Sequence, residues 1–190
     1  MWVSGFYGSG KSHFVRVLQY LWQDIALPDG ARARSLVALP PDIAAHLREL
    51  STAGKREGGL WSAAGTLSAG GESIRLALLS IVFQGAGLPA QYAPARLVMW
   101  LKKKGLYEAV AADLQASGED LAAELDNMYV SPVLAQSILR AYPEVASTSQ
   151  DLLTQFLSQY PQKAEISDAE MLQAMEDVLA LQSQRPGKLP

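Results

Sequence analysis

The sequence predicts an α/β segment at the N-terminus followed by a mainly α-helical region, with helix dominating the chain overall. Three observations lead there. The apolar, β-prone pair Trp2-Val3 runs into a glycine-rich turn and then into an amphipathic helix. Beyond about residue 85, apolar residues recur at helical spacing in one segment after another. Finally, 49% apolar against 18% charged residues over 190 positions supplies a packed core and excludes a disordered chain.

Composition narrows the function classes further. With 16 Lys+Arg against 19 Asp+Glu the net charge is −3, which gives no electrostatic footprint for nucleic acid. The absence of Cys excludes disulfides, thiolate metal sites and a Cys nucleophile. The longest near-continuous apolar stretch, Ile74 to Phe83, is interrupted by Arg75 and Ser80. It is half the roughly 20 residues that a membrane span requires. No basic, apolar signal peptide opens the chain. The expectation is a soluble, cytoplasmic protein.

The first element carries most of the chemistry. Gly5-Phe6-Tyr7-Gly8-Ser9-Gly10-Lys11-Ser12 fits G-x-x-x-x-G-K-[ST], the phosphate-binding Walker A loop. Holding a polyphosphate requires several backbone N–H groups aimed at one point, hence a tight concave turn. Gly5, Gly8 and Gly10 permit that turn and keep side chains away from the anion. Lys11 is expected on the β- and γ-phosphates of ATP, and the Ser12 hydroxyl on Mg²⁺. The backbone N–H of His13 lies within reach of the α-phosphate, since a helix starting near Gly10 adds its unpaired first-turn donors. Its imidazole is read as an ordinary first-turn side chain. After the loop, Phe14, Val17, Leu18, Leu21 and Trp22 recur at helical spacing, with Arg16, Gln19 and Gln23 opposite. The order is strand, loop, amphipathic helix, as the motif needs.

Residues 26–59 are rich in turn signals: Pro28-Asp29-Gly30, Pro40-Pro41 and Gly58-Gly59. Between them Asp42 to Leu50 reads as a short helix, His46 as a solvated helix residue, and Lys55-Arg56-Glu57 as a charged loop tip. Leu60 to Leu67 reads as a second strand, or else as irregular chain. Glu72 to Phe83 reads as a largely buried helix ended by Gly85 and Gly87-Leu88-Pro89.

Helices follow over Ala95–Lys104, Tyr107–Gln115 and Glu119–Met128, and then from Ser131-Pro132 towards Arg140. Leu152, Leu153, Phe156, Leu157 and Tyr160 form another apolar stripe, and Ser167-Asp168-Ala169-Glu170 is a capping box. The organisation read from this is a partial nucleotide-binding segment over 1–87, a helical region over 88–182 and a frayed tail over 183–190.

Hydrolysis needs more than the loop. An acid at the end of a buried strand normally holds Mg²⁺ and positions water. Leu36-Val37-Ala38-Leu39 leads into Pro40-Pro41-Asp42, and two prolines disqualify a central strand. Leu97 to Leu101 runs into three lysines, and Ile81-Val82-Phe83 ends in Gln84. No catalytic acid is recognisable, and with two candidate strands the sheet is incomplete. The expectation is a fragment of a larger ATPase.

Trp2 to Phe14, with the loop at its centre, resembles the opening of the large P-loop ATPases of bacterial phage-defence islands: the PglY proteins of phage growth limitation and the BrxC proteins of BREX systems. Arg75-Leu76-Ala77-Leu78-Leu79, Gly87-Leu88-Pro89 and Asn127-Met128-Tyr129-Val130-Ser131-Pro132 are similar to the PglY side of that family. The resemblance extends over most of the chain, but only the loop is a motif with known mechanics, so only residues 5–12 carry over. It implies an AAA-like ATPase acting with a methyltransferase and other defence proteins, and leaves an oligomer open. Two other readings stand beside it. One is a small-molecule P-loop kinase, with Asp24 or Asp42 as base and Arg32, Arg34, Arg48 and Arg56 as lid. The other is a helical interaction module with a vestigial loop.

Overall fold

Capping hydroxyls, prolines and glycines divide the chain into helices. A computed structural model of the protein describes residues 8, 10–67 and 73–183. In chain order the α-helices are α1 (Lys11–Gln23), α2 (Pro41–Arg56), α3 (Ile74–Gly85), α4 (Tyr92–Lys103), α5 (Tyr107–Ala116), α6 (Leu121–Asp126), α7 (Pro132–Ala141), α8 (Ser149–Gln159) and α9 (Asp168–Gln182). Short 3₁₀ turns occupy Ala33–Leu36 and Pro143–Val145. Two compact units result. One is Leu67–Leu181; the other holds the described residues up to Thr66 together with Gln182 and Ser183. The helix α3 thus belongs with the helices that follow it.

The Leu67–Leu181 unit has the core. Apolar residues four apart put Leu97 and Leu101 on α4, Val110 and Leu114 on α5, Leu134 and Ile138 on α7, and Leu152 and Phe156 on α8. All of them are buried. Burying each such side chain contributes about 1.5–3 kcal/mol. The central helix α7 packs on both α5 and α8. It approaches α5 closely enough for the buried Ser137 hydroxyl to donate to the Val110 carbonyl at 3.3 Å.

Helix ends in this unit follow local chemistry. Ser131 accepts from Leu134 N–H at 2.9 Å and donates to the Glu124 carboxylate, which fixes the start of α7. Thr148 accepts from Asp151 N–H at 3.1 Å ahead of α8. Before α9 the capping box closes in both directions, Glu170 N–H to Ser167 Oγ at 3.2 Å and Ser167 N–H to Glu170 Oε2 at 2.9 Å. Ion pairs set the register between helices: Arg140 with Asp113, Arg96 with Asp177, and Arg75 with Asp168 and Glu165. At such exposure water and salt screen these pairs, so they orient helices rather than hold them.

The α/β expectation is corrected by this architecture. The described residues are helical and contain no strand and no sheet; an isolated antiparallel bridge, Ala26 with Arg32, is the nearest approach. The partial P-loop, AAA-like fold expected for residues 1–87 is therefore not what the described residues of that range form. The expected first strand, Trp2–Ser4, lies outside the described residues. The expected second one, Leu60–Leu67, is irregular. Its entry explains why. Gly58 and Gly59 both take positive φ (99° and 126°), turning the chain back onto α2. There Leu60 covers Gly54, so closely that a Cβ on Gly54 would stand 2.6 Å from Leu60 Cγ. Anchored on a helix face, the segment has no neighbouring strand among the described residues to share a ladder with.

The same contact explains why α2 outruns its expected end. With Gly54 covered, Lys55 and Arg56 form its last turn, where cations suit the helix dipole, rather than a loop tip. Among the described residues, no helix is long and apolar enough to cross a membrane.

Candidate functional site

The phosphate-loop residues that are described are Gly8, Gly10, Lys11, Ser12 and His13; Gly5, Phe6, Tyr7 and Ser9 lie outside the described residues. Gly8 and Gly10 both adopt φ of 80°, the left-handed region that side-chain-bearing residues resist. A Cβ at either position would meet nothing within 4 Å, so backbone angle and not lack of space is what calls for glycine. Gly10 caps α1 without a side chain, and its carbonyl takes the first helical hydrogen bond, from Phe14 N–H at 2.8 Å. The next three residues, Lys11, Ser12 and His13, therefore present first-turn N–H groups that the helix itself does not use.

Lys11 is half-buried, while Ser12 and His13 are exposed. One helical turn thus gathers a cation, a hydroxyl and a set of backbone donors at the positive end of a 13-residue helix. These groups fit a phosphate chain with its Mg²⁺: donors and an ammonium for the anion, a hydroxyl oxygen for the metal. No cluster of three or more His, Asp or Glu side chains capable of holding a metal occurs among the described residues.

The acid that hydrolysis would use is not supplied by the runs inspected for it. Leu36, the last residue of a 3₁₀ turn, and Val37 after it are exposed, Leu97–Leu101 lies within α4, and Ile81–Phe83 lies within α3. Of the kinase residues, Asp24, Arg32, Arg34 and Arg48 line one cleft, but Asp24 and Arg34 are engaged in structural hydrogen bonds there. Asp24 ends α1 with φ of 50°, and its carboxylate accepts from Arg34 N–H at 3.1 Å. Asp42 sits in the first turn of α2, where a carboxylate suits the dipole.

Arg34, which the sequence offers only as a lid arginine, instead ties two helices together. Its guanidinium donates to the Leu21 carbonyl at 2.6 Å and the Trp22 carbonyl at 2.9 Å, both in the last turn of α1. It also donates to the Leu47 carbonyl at 2.7 Å and the Ser51 hydroxyl at 2.6 Å on α2. A planar fork of donors satisfies helix-end carbonyls on one side and a second helix on the other. No local signal marks such a residue, because its partners stand 12 to 17 positions away.

Around this clamp the unit is thinly packed. Ala33 and Gly54 are its buried residues among those described, and α1 buries none of its own. Phe14, Leu18 and Trp22, one stripe at four-residue spacing, remain 40–44% exposed. No protein-family model, no curated protein and no solved structure matches the chain.

Proposed function

We propose that the chain binds Mg-ATP through the loop that ends at Gly8–Ser12, as the nucleotide-binding part of a phage-defence ATPase of the PglY/BrxC kind. The observation that carries the reading is Gly10 at φ 80°, opening a 13-residue helix whose first two residues are Lys11 and Ser12. In this reading the backbone donors and Lys11 hold the phosphates and Ser12 holds the metal. In this reading a catalytic acid and an arginine finger belong to the larger ATPase, since the apolar runs ending near Leu39, Phe83 and Leu101 offer no such acid. The methyltransferase and other defence proteins are its proposed partners, on the strength of the resemblance alone.

Equilibrium titration of a fluorescent ATP analogue with Mg²⁺ tests this against Lys11→Ala. Loss of the ammonium is expected to weaken binding tenfold or more, which is at least about 1.4 kcal/mol. Equal affinities in two folded proteins would refute it. The exposed stripe of Phe14, Leu18 and Trp22 favours a second reading, a helical interaction module. That reading requires partner capture indifferent to nucleotide.

A further inference from the structure

The cationic residues that the sequence scattered over residues 32–55 are brought to one place by the fold. Arg32, Arg34, Arg48 and Lys55 line an open cleft of about 720 Å³ between α2 and the chain leaving α1, against the single carboxylate of Asp24. Among the described residues none of these four cations is within ion-pair distance of a carboxylate, although the chain as a whole is acidic. Asp24 is itself occupied by the Arg34 N–H.

Arg34 is locked by its four bonds to α1 and α2, and Arg32 donates to the Asp24 carbonyl at 3.0 Å. Arg48 and Lys55 are exposed and carry their charge at the rim. The floor is apolar, with Val37, Leu39, Ala44 and Leu47, and the Ser51 and Thr52 hydroxyls stand among the cations.

Four cations against one carboxylate make the cleft locally positive within an acidic chain. The volume is that of a site for one small organic ligand, and an apolar floor with a few polar groups is the usual makeup of such sites. We propose that this cleft binds a small organic phosphate, its apolar body on Val37, Leu39 and Leu47 and its phosphate on Arg48 and Lys55. The site is separate from the phosphate loop. Lys11 opens α1 and Asp24 follows its last residue, so the two stand about 20 Å apart along the helix axis. The proposal does not depend on the loop binding ATP.

The test uses mant-AMP without metal, titrated into the full chain carrying Lys11→Ala so that the loop is disabled. Saturable binding is expected, displaced by inorganic pyrophosphate. It should weaken tenfold or more when Arg48→Gln and Lys55→Gln are added. Both side chains are exposed, so these changes leave the fold intact, as far-ultraviolet circular dichroism would verify. The double change in the otherwise unaltered chain separates the two sites, because Mg-ATP binding at the loop should survive it. No saturable mant-AMP binding, or binding unchanged by the double substitution, overturns the proposal. So does binding of an oligothymidylate without binding of mant-AMP, which would make the surface a nucleic-acid one.

Discussion

Gly54→Ala sets two opposing terms against each other at a position where both have known size. Alanine in a helix interior is favoured over glycine by about 1 kcal/mol, and position 54 lies inside α2. The added Cβ, however, would stand 2.6 Å from Leu60 Cγ and 2.7 Å from Cδ2. Overpacking of this kind costs about 1–3 kcal/mol. The expected outcome is therefore a net destabilisation of up to about 2 kcal/mol.

Leu60→Ala deletes both offending atoms, and in that background Gly54→Ala should stabilise by about 1 kcal/mol. The sign of one substitution thus inverts with the identity of a residue six positions away. A urea titration followed by the fluorescence of Trp22 and Trp61, which lie in the same unit, reads the four corners of the cycle. Gly54→Ala acting with the same sign in both backgrounds would refute the account of why Leu60–Leu67 leaves the strand state.

Two further outcomes test the helical unit. Ser131→Ala removes the N-cap of α7 and strands Glu124, and should cost about 1 kcal/mol in thermal or urea unfolding. The Glu170 carboxyl is held down from 4.5 to about 2, first by Lys163 and then by the Ser167 N–H and hydroxyl. A depressed carboxyl stabilises the fold above its unfolded value and loses that contribution as pH falls from about 4.5 through about 2. Glu170→Gln should lower the melting temperature at neutral pH and flatten the acid limb in that window; an unchanged acid limb would contradict the assignment.

What the sequence made legible was local. Ser131-Pro132 and Ser167-Asp168-Ala169-Glu170 announce helix starts because cap and donor are three residues apart and need nothing from elsewhere. The left-handed angles at Gly8 and Gly10 belong to the same class, since a glycine-rich turn before an amphipathic helix states its own geometry. Of the two readings of Leu60–Leu67, irregular chain held and the strand did not, because a strand is defined by its neighbours. Its apolar and small residues suit a ladder, but the contact that decided the matter was Leu60 on Gly54. Lys55 and Arg56 were misplaced for a related reason, as a charged pair before two glycines reads alike in a loop and in a last helical turn. Arg34 was read as a lid residue and its clamp role stayed silent, because bonds from a guanidinium to main-chain carbonyls leave no pattern in the residues that accept them.

Arg34 has one more consequence, and it concerns heat capacity. Unfolding raises the heat capacity in proportion to the apolar surface it exposes, while exposing polar surface lowers it. In the Leu67–Leu181 unit the buried stripes of α4, α5, α7 and α8 make the first effect dominate, so its stability should describe a strongly curved dome with temperature. The clamp works by the opposite means: four hydrogen bonds join α1 to α2 where, among the described residues, Ala33 and Gly54 are the buried ones. A structure held in that way has little hydrophobic driving force to lose on cooling, and its stability curve is correspondingly flat. The two units, divided near Thr66, are thus expected to respond differently to temperature.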